Sequence, residues 1–250
     1  MELIAAALAL LCPFFTRMLC PELKLVRPNF QNKEIPAATG LSFLLPLACF
    51  PLLWPALAFG MLGLADDLWG NRSVGGFRGH LRSLFAGKPT TGALKLFGGG
   101  LIALGYAWFL FPGQWLQVAV AASVIALSAN TLNLLDLRPG RAFFGFGALL
   151  LPALILAPAL FLPLWPLLIV LAIEWWADSR AQAMLGDTGS NCLGALAGVF
   201  AVHSLPLTLQ AVILVLLLAL NLIAERVSIT ATIEKTPWLR WLDRRLGVRG

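Results

Sequence analysis

Long apolar stretches, each close to the length of a membrane-spanning helix, dominate this sequence. A spanning α-helix needs roughly 20 predominantly apolar residues, and residues 2–20, 93–111, 115–136 and 207–225 each approach that length. Of the 250 residues, 59% are hydrophobic and only 12% are charged, whereas about 25% are charged in a typical soluble domain. The sequence therefore predicts an all-α, polytopic integral membrane protein.

Basic residues give the expected topology. Because cytoplasmic loops of membrane proteins carry an excess of lysine and arginine, we expect each basic cluster in the cytoplasm and each uncharged connector on the far side. This predicts a helical bundle of about eight transmembrane helices, some of half length, with the N-terminus outside and no cleaved signal peptide. Outside residues 40–66, the expected spans are 2–20, 93–111, 115–136, 143–158, 160–178, 189–203 and 207–225.

Residues 40–66 fit this scheme less simply, because both of their ends are expected on the cytoplasmic side. At ~1.5 Å per residue they supply about 39 Å of helix, enough for one crossing. Pro46, Pro51 and Pro55 divide the segment into two shorter apolar pieces. We predict a short or re-entrant helical hairpin here, with a single span and an inverted N-terminus as the alternative.

The chain divides into a transmembrane domain of residues 1–226 and a cytoplasmic tail of residues 227–250. In the tail, apolar positions at helical spacing alternate with arginines, which is typical of an amphipathic helix at a membrane surface. A membrane anchor and a lid over a headgroup site are both open interpretations. The residues that carry this pattern are Trp238, Trp241, Leu242, Arg245 and Leu246.

Two features exclude other classes of protein. Cys12, Cys20, Cys49 and Cys192 lie in or beside apolar segments without paired spacing, which is typical of small buried side chains rather than of zinc or disulfide sites. The net charge of +6 is spread over the basic clusters, where it is explained by topology and by anionic lipid headgroups. We therefore expect membrane lipids, and no nucleic acid, as partners.

Acidic residues at the ends of the apolar stretches indicate a functional site. A charged side chain at membrane depth costs at least ~2.5–3.5 kcal/mol, so such residues are functional candidates by default. Asp66 and Asp67 end one apolar segment, where a helix C-terminus disfavours two carboxylates unless a cation offsets them. Mg²⁺ suits these oxygen ligands, although a solvated pair is the alternative. Asp187 precedes another apolar segment, as either a metal ligand or a helix N-cap.

A polar stripe and several basic residues could complete this site. Asn130, Asn133 and Asp136 follow i, i+3, i+6 spacing, which places them within roughly 120° of one helix face. They are expected to line an aqueous cleft, or otherwise to form hydrogen bonds between helices. Backbone amides at the helix start Gly186–Asn191 could bind phosphate. Arg78, His80, Arg82 and Lys88 are more typical of topology or headgroup charges.

With these residues in view, the chain resembles the polyprenyl-phosphate N-acetylhexosamine-1-phosphate transferase family, the MraY/WecA-like enzymes of glycosyl transferase family 4. The resemblance covers most of the chain in collinear order. It rests on the segments RPNFQNKEIPAATG, GLADDLWG, TTGALK, ANTLNLLDLRPGRA, MLGDTGSN and ERVSITATIEKTP.

The resemblance implies a function and a set of roles. Such enzymes use Mg²⁺ to transfer a sugar-1-phosphate from a nucleotide diphosphate sugar to polyprenyl phosphate, at the cytoplasmic face of the cell membrane. Mn²⁺ is an alternative metal, and a homodimer is an open alternative for the assembly. The implied residues are Asp66, Asp67 and Asp187 for catalysis and metal binding, and Lys33, Lys95, Asn130, Asn133, Asp136 and Asn191 for substrate binding.

The sequence also departs from the family pattern. Gly70 stands where an acidic or lysine residue is frequent, and Pro139 replaces the second acid of the asparagine motif. The family's histidine-rich loop is replaced by serine, threonine and arginine. In better-known members the histidine-rich loop lies near the nucleotide sugar, so the donor stays open. A non-catalytic relative that binds polyprenyl phosphate is the second hypothesis, and a small transporter, which would place its charges near the bilayer midplane, is the third.

Overall fold

The computed structural model describes residues 1–70, 79, 83 and 90–248. In this part of the chain, eleven α-helices and one antiparallel pair of short strands form the fold. Arg78, His80, Arg82 and Lys88 lie outside the described residues. The elements are α1 (Glu2–Glu22), β1 (Val26–Pro28), β2 (Glu34–Pro36), α2 (Leu41–Ala48), α3 (Trp54–Trp69), α4 (Thr91–Leu110), α5 (Trp115–Leu135), α6 (Arg141–Leu156), α7 (Trp165–Ser179), α8 (Gly186–Ser204), α9 (Leu207–Ala224), α10 (Ile229–Lys235) and α11 (Pro237–Leu246).

Helix α8 is the centre of the bundle, because every residue from Thr188 to Val202 is buried. It packs against α3 and α5, and α6 also contacts it. Gly194 and Gly198 lie against the backbone of α5, where a Cβ on either would come within 2.7 Å of backbone atoms of Ala129 or Ile125. Small residues four apart let helix backbones approach closely, as is common in membrane proteins.

The other helices form a layer around this centre. Helix α4 packs on α3 and α5, and α9 packs on α5. Helix α1 packs on α2 and α7, where the guanidinium of Arg17 forms two hydrogen bonds of 3.1 and 3.0 Å with the buried carboxylate of Glu174. A charge buried between helices needs such a partner, so this pair joins α1 to α7.

Six helical segments in the described residues are long and apolar enough to cross a membrane. The all-helical fold and these segments are consistent with the predicted helical membrane protein. Helix α6 is apolar but has only 16 residues, and α8 begins with a polar stretch and is not one of the six. The six segments are Glu2–Glu22, Pro51–Trp69, Thr91–Leu110, Trp115–Leu135, Pro158–Ser179 and Leu207–Ala224.

Residues 40–66 form the predicted helical hairpin. Both of its ends meet the start of α8, since Gly40 donates from its backbone to the carbonyl of Leu185 and Asp67 is hydrogen-bonded to Thr188. Its turn lies at the opposite end of the bundle, where the Leu52 carbonyl accepts a 2.9 Å hydrogen bond from the Tyr106 hydroxyl. The expectation of two half-length pieces is wrong for the second limb, because Pro51–Trp69 is itself 19 residues long.

The tail forms two helices, α10 and α11, which pack against the bundle. Leu239, Leu242 and Leu246 border an apolar groove that α5, α6 and α9 complete. Trp238 and Trp241 are exposed on the other side of α11, and the guanidinium of Arg245 lies 4.2 Å from the Trp241 ring centre. The tail is therefore amphipathic, as predicted, but its leucine side faces the protein.

Candidate active site

Residues from five parts of the fold meet in a cleft at one end of the bundle. The cleft has a volume of about 480 Å³. Its walls are the β1–β2 hairpin, the end of α3, the start of α4, the loop after α5 and the segment from Asp178 to Asp187. Among the described residues, five carboxylates and two guanidinium groups line it, namely those of Asp66, Asp67, Asp136, Asp178, Asp187, Arg27 and Arg138.

Lys95 connects the predicted acidic residues below this cleft. Its ammonium group donates to Oδ2 of Asp66 at 3.1 Å and also to Oδ2 of Asp187. The two carboxyl groups are within hydrogen-bonding reach of one another, and the hydroxyl of Thr91 is hydrogen-bonded to Asp66. Asp66, Lys95 and Asp187 come from three different helices, α3, α4 and α8, so the fold assembles the centre that their positions in the sequence predict.

Asp67 occupies a different position from that of its neighbour. Its Oδ1 accepts a 3.0 Å hydrogen bond from the backbone of Asp187, whereas its Oδ2 accepts from the backbone and hydroxyl of Thr188 at 2.8 and 2.6 Å. The N-terminus of α8, with its unpaired amides and positive dipole end, is therefore capped by Asp67. The expectation that the Asp187 and Thr188 amides are free for phosphate is wrong.

A close helix contact explains how Asp67 reaches α8. Gly63 lies one turn before Asp67, and a Cβ on Gly63 would overlap the backbone carbonyl of Asp187. Because this glycine lets α3 approach the start of α8, the carboxylate of Asp67 lies directly beneath the helix terminus. We infer that Asp67 positions Asp187 instead of ligating a metal.

Replacing Asp67 with Asn tests this positioning role through stability. Asn has only one acceptor oxygen, so at least one of the three hydrogen bonds that Asp67 accepts is lost, and we expect the free energy of unfolding to fall by about 1–3 kcal/mol. Asp66→Asn, in which the changed side chain does not cap a helix, is the matched control and should be less destabilised. Thermal unfolding of both variants in detergent measures the difference, and equal midpoints would contradict the capping role.

The polar stripe on α5 divides between two environments. With its amide nitrogen towards α8, Asn133 donates to Oδ1 of Asp187 at 3.1 Å and accepts from the Lys95 ammonium at 3.2 Å. Asn130 instead is exposed and donates to the side chain of Asn221 on α9. Side chains three positions apart on a helix differ in direction by about 60°, and this difference turns Asn130 away from the cleft relative to Asn133. The expectation that Asn130 lines the cleft is therefore wrong, and its bond between helices is the alternative that the sequence left open.

Asp136 is the member of the stripe that lines the cleft. It follows the last residue of α5 and lies near other carboxylates. Burial, together with the charges of Asp178 and Asp187, raises the pKa of Asp136 well above its usual value. Burial is the largest cause of this shift, and the neighbouring carboxylates add to it.

Two predicted substrate-binding residues are not brought into the cleft. The side chain of Lys33 is exposed at the end of the β-hairpin and does not line the cleft, whereas its neighbours Asn29, Phe30 and Ile35 do. Asn191 is 6% exposed, and its amide donates to the backbone carbonyl of Asp187 at 2.7 Å. Lys33 does not reach the cleft because it lies in the turn of the hairpin, beyond the cleft wall. Asn191 does not reach the cleft because it lies one helical turn further into α8 than Asp187.

Four residues of the site were missed by reasoning from the sequence. Arg27 and Arg138 are cleft-lining cations that belong to clusters interpreted as topology signals. Asp178 lines the cleft and accepts a 2.6 Å hydrogen bond from the backbone of Gly140. Thr91 is hydrogen-bonded to Asp66. Asp178 ends an apolar segment as Asp66 does, so the same rule could have found it.

The donor set is compatible with a magnesium ion, although no ready group of three metal-binding side chains is present among the described residues. Asp66 and Asp187 both contact the ammonium of Lys95, so two carboxylates lie within reach of one small cation. Mg²⁺ is commonly bound by one or two carboxylates together with water and substrate phosphates. These residues therefore fit that mode of binding, in which the phosphates complete the site.

The comparisons with known proteins add no family assignment. A scan of protein-family models finds no match to this chain, and a search of curated protein sequences finds no match either. The candidate site therefore rests on the geometry above and on the resemblance of its motifs.

Proposed function

We propose that this protein is a Mg²⁺-dependent transferase that moves a sugar-1-phosphate from a nucleotide diphosphate sugar to polyprenyl phosphate. The observation that carries the proposal is the joining of Asp66 and Asp187 through Lys95 in an acid-lined cleft. This cleft lies at one end of a bundle whose helices are long and apolar enough to cross a membrane. A phosphorylated lipid in the bilayer and a water-soluble nucleotide sugar could meet at that end.

The reaction itself requires positioning and charge neutralisation more than covalent help from the protein. An oxygen of the lipid phosphate attacks the phosphorus that bears the sugar. The new P–O–P bond makes a lipid-diphosphate-linked sugar, and the bond between the two donor phosphates breaks to release a nucleoside monophosphate. When bound, Mg²⁺ would neutralise charge on the phosphate oxygens, held by Asp187 and Asp66.

The residues of the chain have separate parts in this scheme. Lys95 holds its positive charge beside both carboxylates, where phosphate groups would approach. Asn133 fixes the side chain of Asp187 through a hydrogen bond to Oδ1, and Asp67 fixes its backbone. Arg27 of the β-hairpin and Arg138 of the loop 136–140 supply the cleft with guanidinium groups, which bind phosphates well. We assign the wall formed by this loop, together with Arg27, to the nucleotide sugar.

The membrane arrangement is part of the proposal. We take α6 and α8 to cross the bilayer along with the six long apolar segments, which gives the expected eight spans, and we take α2, the short first limb of the hairpin, to return the chain to the far side before α3. The cleft end would face the cytoplasm, in agreement with the basic residues of the hairpin and of the 138–141 and 180 regions. The product would be a lipid-linked sugar in the cell membrane for surface-polymer synthesis.

Dependence on the metal and on the lipid provides a test. Purified protein should convert a radiolabelled nucleotide sugar into a solvent-extractable lipid product only when both Mg²⁺ and polyprenyl phosphate are present. We expect EDTA to stop the reaction, because the carboxylates and the phosphates are all negatively charged and Mg²⁺ would supply the positive charge between them. Mn²⁺ should restore it, since both ions favour oxygen ligands. Undiminished transfer in EDTA would contradict the proposed mechanism.

A further inference from the structure

The tail lies behind the wall of the cleft that carries Asp136 and Arg138. That wall is the short loop 136–140 between α5 and α6. At its end, the guanidinium of Arg141 forms hydrogen bonds of 2.6 and 3.1 Å with the two carboxylate oxygens of Asp243 on α11. It also donates to the hydroxyl of Thr230 on α10 at 2.9 Å. Arg141 and Asp243 are both buried, with 4% and 7% exposure.

Further contacts make the tail and the loop one unit. Gly140 has a φ of +80°, and a Cβ there would overlap the backbone carbonyl of Leu246, so the loop fits closely against the end of α11. The backbone of Val248 donates to the carbonyl of Ser179 at 2.8 Å. Asp178, next to Ser179, accepts from Gly140. The tail thus joins the two segments that carry Asp136, Arg138 and Asp178.

The form of the ion pair favours a role in orientation. A bidentate arginine–carboxylate pair fixes geometry as well as charge, whereas a buried pair contributes little to net stability compared with apolar residues of the same size. None of the described tail residues lines the cleft, so the tail is not a lid in this structure. It contacts the cleft wall from behind, through the loop 136–140 and through Ser179 beside Asp178.

We propose that the Arg141–Asp243 pair makes the tail a positioning element for the nucleotide-sugar wall of the cleft. This inference rests on the proposed function. Asp66, Lys95 and Asp187 lie on α3, α4 and α8, and the pair holds none of them. Loss of the pair should therefore weaken use of the donor far more than use of the lipid acceptor.

Steady-state kinetics of Asp243→Asn test the proposal. We expect KM for the nucleotide sugar to rise about tenfold, since misplacing a positioning group by ~1 Å can cost up to 10²-fold. The kcat and the KM for polyprenyl phosphate should change less than about threefold, because the pair does not hold Asp66, Lys95 or Asp187. Thr230→Val removes one hydrogen bond from Arg141 and should give a smaller rise, which keeps the test valid if Asp243→Asn folds poorly.

Glu174→Gln is the matched control, because it removes the carboxylate charge from the other bidentate pair described above, Arg17–Glu174. It should lower the unfolding temperature without changing KM for the donor. An equal rise in the donor KM of Glu174→Gln and Asp243→Asn, or an equal rise in both KM values of Asp243→Asn, would overturn the positioning role.

A spin label at Leu137→Cys gives a readout that needs no activity. Leu137 is 62% exposed in the cleft wall, and the four native cysteines are buried. Label mobility should increase in Asp243→Asn and stay unchanged in Glu174→Gln. Increased mobility in a protein that transfers no sugar would support the positioning element and refute the proposed function. Unchanged mobility in Asp243→Asn would refute the positioning element alone.

Discussion

Asp187→Asn should lower kcat by about 10²–10³-fold, the range seen when one group that stabilises transition-state charge is removed. The amide has nearly the same shape as the carboxylate but lacks its negative charge. Asp187 is the proposed metal ligand and contacts both Lys95 and Asn133, so the change alters the centre itself. Initial rates of nucleoside monophosphate release, with saturating donor and acceptor, measure the effect.

Stability and a control variant separate this effect from misfolding. The backbone amide of Asp187, which donates to Asp67, is kept in the variant, so the unfolding temperature should fall by only a few degrees, as expected for a change of about 1 kcal/mol. Glu22→Gln makes the same chemical change at an exposed position at the end of α1. It should retain full activity. Wild-type kcat in Asp187→Asn would contradict the role of Asp187.

Lys95→Gln should also lower kcat by about 10²–10³-fold, because it removes the cation between Asp66 and Asp187. Without the ammonium group, the negative charges of the two carboxylates are no longer offset by Lys95. These carboxylates should then repel the phosphates of the substrates. Lys95→Arg should not restore the rate, since a planar guanidinium does not replace a compact ammonium in a narrow site. The rates of both variants are measured in the same assay.

Lys33→Gln provides the matched comparison. The family resemblance gives Lys33 and Lys95 the same role towards the diphosphate, but only Lys95 contacts the acidic centre. Lys33 is exposed at the end of the hairpin. We therefore expect Lys33→Gln to keep kcat within about threefold, as for a surface substitution. An equal loss of kcat in Lys33→Gln and Lys95→Gln would contradict the different roles assigned to the two lysines.

The charges at the helix ends could be predicted because membrane proteins tolerate few of them. Asp66, Lys95 and Asp187 each interrupt the end of an apolar segment, and their shared side followed from the basic clusters. The hairpin at 40–66 followed from the same topology, together with its length and prolines. Apolar composition and charge distribution were sufficient to predict these features, because both are local properties of the sequence.

The remaining features depend on packing between distant segments. The capping of α8 by Asp67 needs Gly63 to bring two helices together, and no local pattern predicts that contact. Asn130 belongs to the same stripe as Asn133, but the orientation of α5 turns it towards Asn221. Arg141 and Asp243 are 102 positions apart, and their contact depends on the tail packing behind the loop, which no pattern along the chain predicts.

Release of nucleoside monophosphate by the purified protein tests the central claim most directly. The assay contains Mg²⁺, undecaprenyl phosphate and, in turn, UDP-, CDP-, GDP- and dTDP-linked sugars, with wild-type protein and Asp187→Asn side by side. We expect at least one donor to give nucleoside monophosphate and lipid-linked sugar in equal amounts, and the variant to form both about 10²–10³-fold more slowly. No release with any donor, from wild-type protein that still binds undecaprenyl phosphate, would contradict the account and favour a non-catalytic lipid-binding protein.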